Sequence, residues 1–294
     1  MKKFFYPLLG ILFIFSLSCS NDNGDGPGSG TDDDGQGGVD KSANLLTTGA
    51  SANDILSNTN FDKLQIQIAY VTGFRPTQQT IDNFQDYLRQ HTFKEDIEII
   101  YNELPSPNEE TLTLQEIANL EDENRTAYND GSTLAVYIYF ADAPADGDDE
   151  DASLVTLGAV YFNTSMVIYE QTIRELASRS LLISVTDVET ATLNHEFGHL
   201  FGLVNLGTIP VNDHEDPESE NHCNVEGCLM RAELQFSASK IMSPIAKSTE
   251  ELKSACSLSG NTVLNLLIQE VNKSAVVPDL DAECVLDLQN NGGR

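Results

Sequence analysis

The sequence predicts an α+β fold: a mixed, twisted β-sheet with helices packed on it, one of which carries the candidate chemistry. Three observations predict this. Apolar runs of strand length recur between segments of helical spacing, in the order β-α-β-α-β-β-β-α. The strand runs are rich in β-branched and aromatic residues, as in LQIQIAYVT and TLAVYIYF. A helix-start signal then precedes two histidines four residues apart, which the helical period places on one face.

The chain opens on a leader. Lys2 and Lys3 precede the apolar run Phe4 to Leu17, broken only by Pro7, Gly10 and Ser16. The run is too short to span a bilayer and reads as a signal peptide over 1–19. It ends at Ser16-Leu17-Ser18-Cys19, which resembles a bacterial lipobox. That resemblance makes Cys19 the lipidation candidate and implies a lipid anchor to the bacterial outer membrane, with the domain facing the cell surface or the periplasm. The alternative is an ordinary signal peptide with Cys19 incidental. Residues 20–41 are Gly-, Asp- and Asn-rich and nearly devoid of apolar side chains, so they cannot repay the entropy of ordering. They read as a flexible tether, with the linker taken to run over 20–60 and the folded domain over 61–294. The acidic stretch after Cys19 resembles the surface-export signals of Bacteroidetes lipoproteins.

Within the domain, Leu64 to Thr72 alternates like a half-buried strand, and Thr77 to His91 puts Ile81, Phe84, Tyr87 and Leu88 at helical spacing. Asp96 to Tyr101 is a second strand and Leu112 to Tyr128 a second helix. Thr133 to Phe140 is a near-continuous apolar run, as in a central strand. The acidic loop that follows lacks the regular spacing and closing Glu of an EF-hand and reads as a solvated turn. Leu157–Phe162 and Ser165–Tyr169 are short strands, and a helix is expected from Glu170 to about Leu182. Far downstream, a helix is expected from Gly260 to Asn272.

The formal net charge of −30 repels nucleic acid, so that partner class is discounted. A hydrophobic fraction of 40% suits a globular core rather than a membrane bundle.

The segment from Thr186 to Gly202 carries the chemistry. Thr186 with Glu189 forms a capping-box pattern, so a helix is expected to begin there. On it, His195 and His199 lie one turn apart and can reach a single zinc ion. Glu196 follows the first histidine, placed to take a proton from water activated at the metal. Gly202 lets the chain turn sharply out of the helix.

HEFGHLFG resembles the metzincin signature HExxHxxGxxH/D. The third ligand of that pattern falls on Asn205, a poor zinc ligand, so the third ligand lies elsewhere. Two histidines follow, His214 and His222. The segment from His222 to Met230 reads HCx4CxM and resembles the archaemetzincin pattern, with an insertion from about Leu203 to Asn221. The resemblance implies His222 as third zinc ligand, with His214 the alternative, and Met230 as the Met-turn residue beneath the metal. It implies an upper subdomain to about residue 202, a smaller C-terminal subdomain over 203–294, and Leu157-Gly158-Ala159-Val160 as an edge strand open to an extended substrate.

Beyond Cys19 four cysteines remain: Cys223, Cys228, Cys256 and Cys284. An even count in an exported chain favours disulfides, Cys223–Cys228 and Cys256–Cys284 being the simplest of three pairings. Archaemetzincins use four cysteines for a structural zinc, closed by a CxxC that this chain lacks. The function expected is zinc-dependent endopeptidase, acting on a protein or peptide substrate with Glu196 as catalytic general base. Rival readings are a non-catalytic metal- or peptide-binding surface lipoprotein and a metal-free structural module.

Overall fold

The period-2 segments become strands and the 3.6-period segments become helices, with boundaries within a few residues of those expected. The strands are β1 (Lys63–Val71), β2 (Asp96–Leu104), β3 (Thr133–Phe140), β4 (Thr156–Phe162), β5 (Ser165–Ile168), β6 (Glu215–Asp216), β7 (Ser219–Cys223) and β8 (Ser257–Ser259). The helices are α1 (Ala52–Leu56), α2 (Gln78–His91), α3 (Leu114–Asn124), α4 (Glu170–Ser178), α5 (Val185–Leu200) and α6 (Ala282–Asn290). This computed structural model describes residues 40–148, 155–179, 183–232, 257–259 and 277–294. The leader with Cys19, Cys256 and the helix expected over 260–272 lie outside the described residues. No helix among the described residues is long and apolar enough to cross a membrane.

The main sheet has the order β2-β1-β3-β5-β4-β8, and β6 and β7 form a separate hairpin. β1, β2, β3 and β5 run parallel, while β4 is antiparallel to both neighbours. The parallel pairs follow from the intervening helices, because a parallel connection needs a crossover. The central strands are buried on both faces, which explains the apolar continuity of β3, while edge strand β2 is partly exposed. Leu134, Val136, Ile138 and Phe140 join the larger core with α2 and α5, while Tyr137 and Tyr139 join a second core containing Ile117 of α3. Each such fully buried side chain contributes about 1.5–3 kcal/mol of transfer free energy.

At the end of α3, Arg125 is buried with all of its guanidinium donors used. Nε donates to the Ala127 carbonyl at 2.7 Å. Nη1 donates to Glu121 at 2.7 Å and to Ser165 Oγ at 3.2 Å. Nη2 donates to the Ala135 carbonyl at 2.9 Å and to Thr164 Oγ1 at 3.2 Å. Arg125 thus ties α3 to β3 and β5. Arg125→Met leaves Glu121 buried without its counter-charge and is expected to cost about 3–5 kcal/mol in chemical denaturation. A loss below about 1 kcal/mol would show that the network does not hold the sheet.

Three expectations are corrected here. The linker does not extend to residue 60. Asn44, Ile55 and Leu56 are fully buried. The Asn44 amide donates to Asn129 Oδ1, the Ala135 carbonyl and Thr164 Oγ1, so polar residues that read as tether are satisfied inside the fold. The start of α5 is capped by Ser184 and Asp187, not by Thr186 and Glu189. Glu189 is fully buried and serves α2 instead, accepting from Thr77 N at 3.1 Å and from the Thr80 hydroxyl. Finally, β4 is not an open edge, because β8 pairs with its outer side.

Candidate metal centre

α5 is buried along every face from Val188 to Leu200. A helix that is enclosed rather than amphipathic sits in the core, not on it. Phe84 of α2 packs edge-on against Phe197 at 5.1 Å between centroids, and Phe201 stacks on Tyr87. Glu189, anchored at the start of α2, fixes the other end. The rotation of α5 about its axis is therefore set by packing on both ends, and with it the direction of His195, Glu196 and His199.

Past α5 the chain turns at Gly202, which has a φ of 75°. A Cβ there would lie 2.8 Å from both Ala52 Cβ and Thr208 N, so the turn has no room for a side chain. The insertion follows and returns as the β6–β7 hairpin, which ends in His222 and Cys223. A turn then brings Met230 under the helix. A Cβ on Gly198 would overlap Met230 Sδ. The glycine between the two helical histidines thus admits the methionine as an apolar floor.

His195, His199 and His222 each offer one ring nitrogen within 4.8 Å of the others. All three are buried, at 1%, 0% and 5% exposure. The facing nitrogens of His195 and His199 are both Nε2, 3.1 Å apart. His195 Nδ1 donates to the Leu229 carbonyl at 2.7 Å, and His222 Nδ1 donates to the Glu220 carbonyl at 2.8 Å. These backbone bonds fix the tautomers and leave Nε2 as the lone-pair nitrogen on both rings. Burial pushes His195 down to about 3, with the neighbouring His222 acting the same way. Burial and the two other imidazoles push His199 well down too, and burial lowers His222. At neutral pH the cluster is uncharged, the form in which imidazole binds metal.

Glu196 is fully buried, and neither carboxylate oxygen has a hydrogen-bond partner among the described residues. Burial alone pushes its pKa well above the ordinary 4.5. Its side chain lies against β4, since a Cβ on Gly158 would fall 2.7 Å from Glu196 Cγ. The glycine opens the space this carboxylate fills. Buried lone pairs converging from neutral imidazoles, beside an orphaned carboxyl, are unfavourable without a cation. The residues therefore fit a divalent metal bound by three imidazoles with a carboxylate alongside.

The structure separates the two candidates for third ligand. His222 joins the pair on α5, and His214 does not. His214 Nε2 is 2.8 Å from Asp287 Oδ2, and its Nδ1 is 3.3 Å from Cys223 Sγ. Asn205, where the metzincin spacing puts a ligand, donates Nδ2 to Glu215 at 2.5 Å.

His214 lies instead beside a second cluster, built on cysteines for which the sequence favoured disulfides over a structural zinc. Cys223, Cys228, Cys284 and Asp281 offer ligand atoms within 4.8 Å of one another. The described cysteines are free, which corrects the expected Cys223–Cys228 disulfide. Cys228 and Cys284 Sγ are 3.6 Å apart, well beyond a disulfide bond near 2.05 Å. Cys223 donates to Asp281 Oδ2 at 3.0 Å. Asp281 Oδ1 meanwhile caps α6, accepting from Glu283 N and Cys284 N. Sulfur acceptors receive backbone N–H groups, Val225 to Cys223 at 3.4 Å and Met230 to Cys228 at 3.3 Å. Hydrogen bonds from the Cys223 and Cys284 thiols hold Cys228 down to about 5, while the same contacts push Cys284 up. Three sulfurs and a carboxylate fit a closed tetrahedral metal site. The signal in the sequence was Asp281-x-x-Cys284, a CxxC with oxygen in place of the first sulfur.

No protein-family model matches the chain. No curated protein matches it either. Among solved structures, the chain is similar to the crystal structure of an archaemetzincin from Methanopyrus kandleri. The identity is 15% and the TM-score 0.44, over 78% of this chain and 96% of that one.

Proposed function

We propose that the chain is a zinc-dependent endopeptidase with its catalytic metal on His195, His199 and His222. The observation that carries this reading is the convergence of three buried, neutral imidazoles beside the buried, unpartnered carboxyl of Glu196. When bound, the metal supplies Lewis acidity, polarising a scissile carbonyl and making water at the site more acidic. Glu196 takes the proton from the attacking water and passes it to the leaving amine. Met230 closes the floor, and the backbone carbonyls of Leu229 and Glu220 hold the rings of His195 and His222.

The sulfur cluster holds a second, structural zinc. It joins the turn carrying Cys223 and Cys228 to the first turn of α6, and so supports the segment that presents His222 and Met230. In an exported protein, metal ligation also protects these thiols from oxidation. The domain is anchored at the outer membrane through a lipid on Cys19.

Metal analysis tests the reading directly. Two zinc equivalents per chain are expected, with cleavage of an unstructured polypeptide that chelation abolishes and zinc restores. A binding lipoprotein would carry the zinc without cleavage. A chain that purifies without metal and takes none up would sink both readings.

A further inference from the structure

The geometry points to Glu215 as a positioning residue: it brackets the insertion between Asn205 and Asn221 and so delivers His222 to His195 and His199. This rests on the proposed three-histidine metal site and says how this chain completes it without a ligand at position 205.

The bracket is read from two hydrogen bonds that use both oxygens of one carboxylate. Glu215 Oε2 accepts from Asn205 Nδ2 at 2.5 Å, and Oε1 accepts from the backbone N–H of Asn221 at 2.6 Å. Asn205 and Asn221 both adopt left-handed backbone, with φ of 68° and 66°. Asn tolerates this region better than most residues. Asn221 directly precedes His222. Fixing its N–H therefore fixes the point from which the third imidazole leaves the chain. The main chain of Glu215 adds to the frame: its residue pairs with Cys223 in the hairpin, and its carbonyl accepts from Asn224 Nδ2 at 3.3 Å.

The physical need is plain. His195 and His199 are locked by α5, but His222 arrives from a loop whose closure is governed by chain entropy, not by a rigid element. When a ligand group is correctly placed only part of the time, apparent affinity falls by that fraction. A carboxylate tying both ends of the insertion removes this loss. Asn205 is thus not a failed ligand but the far post of the bracket.

The test is metal binding to the full chain carrying Glu215→Ala and Glu215→Gln. Zinc affinity is read by chelator competition and the two sites by cobalt substitution. Thiolate-to-cobalt charge transfer reports the sulfur cluster, and the visible ligand-field bands of a histidine site report the other. Glu215→Ala is expected to weaken the histidine site roughly 10- to 100-fold, the range for outer partners of metal ligands. The charge-transfer band stays unchanged. Glu215→Gln is expected to restore most of the affinity, because the Asn205 amide can turn to accept from the new NH2 while Asn221 N–H keeps its oxygen. Unchanged affinity in Glu215→Ala overturns the proposal, as does equal loss at both sites with no rescue by Gln, the mark of general unfolding. If the wild-type chain shows no histidine-site cobalt bands, the underlying metal assignment fails, and it does so before any variant is compared.

Discussion

Glu196→Gln is expected to lower peptide hydrolysis by roughly 10²- to 10⁴-fold, the range for a positioned general acid–base, with zinc content unchanged. The amide keeps the shape of the carboxylate, so the space opposite Gly158 stays filled, and it is not one of the three imidazoles. What it cannot do is accept and return a proton. Stability supplies an independent check in the metal-free chain. There burial holds the Glu196 carboxyl above its ordinary 4.5, so the folded state binds more protons than the unfolded one above about that pH. Stability from this group is complete below 4.5 and is lost as pH rises toward the folded value. The Gln variant lacks that loss. Denaturation of metal-free wild type and variant between pH 5 and 8 should therefore diverge as pH rises, with the variant the more stable. Full activity in Glu196→Gln would remove the general base from the mechanism.

Much of the fold was legible because its elements are locally consistent. Thr133–Phe140 is an unbroken strand in sequence and in structure, and α2 follows its apolar stripe with Thr77 as cap. The pair His195 and His199 was equally legible, since the i,i+4 relation is carried by one helix. What escaped were features decided by distant partners. Glu189 fits a local capping box, but Thr77 and Thr80 claim it across the core. Residues 42–60 were placed in the linker, yet the Asn44 amide finds three acceptors inside and Ile55 and Leu56 are fully buried. The thiols near Cys228 were expected as disulfides because an even cysteine count in an exported chain favours them and no CxxC is present to close a four-sulfur zinc site. Asp281 supplies an oxygen there instead while capping α6. The third ligand was left between two histidines because an insertion of unknown path separates both from α5. Sequence spacing does not tell which of them returns.

The pair His222→Ala and His214→Ala separates the roles of those two histidines, and the two variants are expected to fail in opposite ways. His222→Ala removes one of three donors, so zinc affinity at the histidine site is expected to fall by more than the ~10- to 100-fold that an outer partner contributes. Hydrolysis falls with it. Cys223, the next residue, keeps its neighbours Asp281 and His214, so the sulfur site should still fill and the protein remain folded. His214→Ala should leave the histidine site its three donors and cost stability instead. The ring is buried against Asp287, itself 1% exposed, which also accepts from Val211 N at 2.6 Å. With the bonds from Val211 to Asp287 and from Asn212 to Glu283, that pair ties the insertion to α6. Its removal leaves a buried carboxylate short of a partner, at about 3 kcal/mol. The pH dependence gives the sign. Burial lowers the His214 pKa, but hydrogen bonds with Asp287 and Cys223 outweigh it and leave the pKa above 6.5. The stabilisation is thus complete below 6.5 and declines as pH rises through the folded value. The gap between wild type and His214→Ala should be widest in mild acid and narrow in alkali. If His214→Ala emptied the histidine site at full stability while His222→Ala left it filled, the ligand assignment would be reversed, because one side chain cannot close both the imidazole cluster and the contact with Asp287.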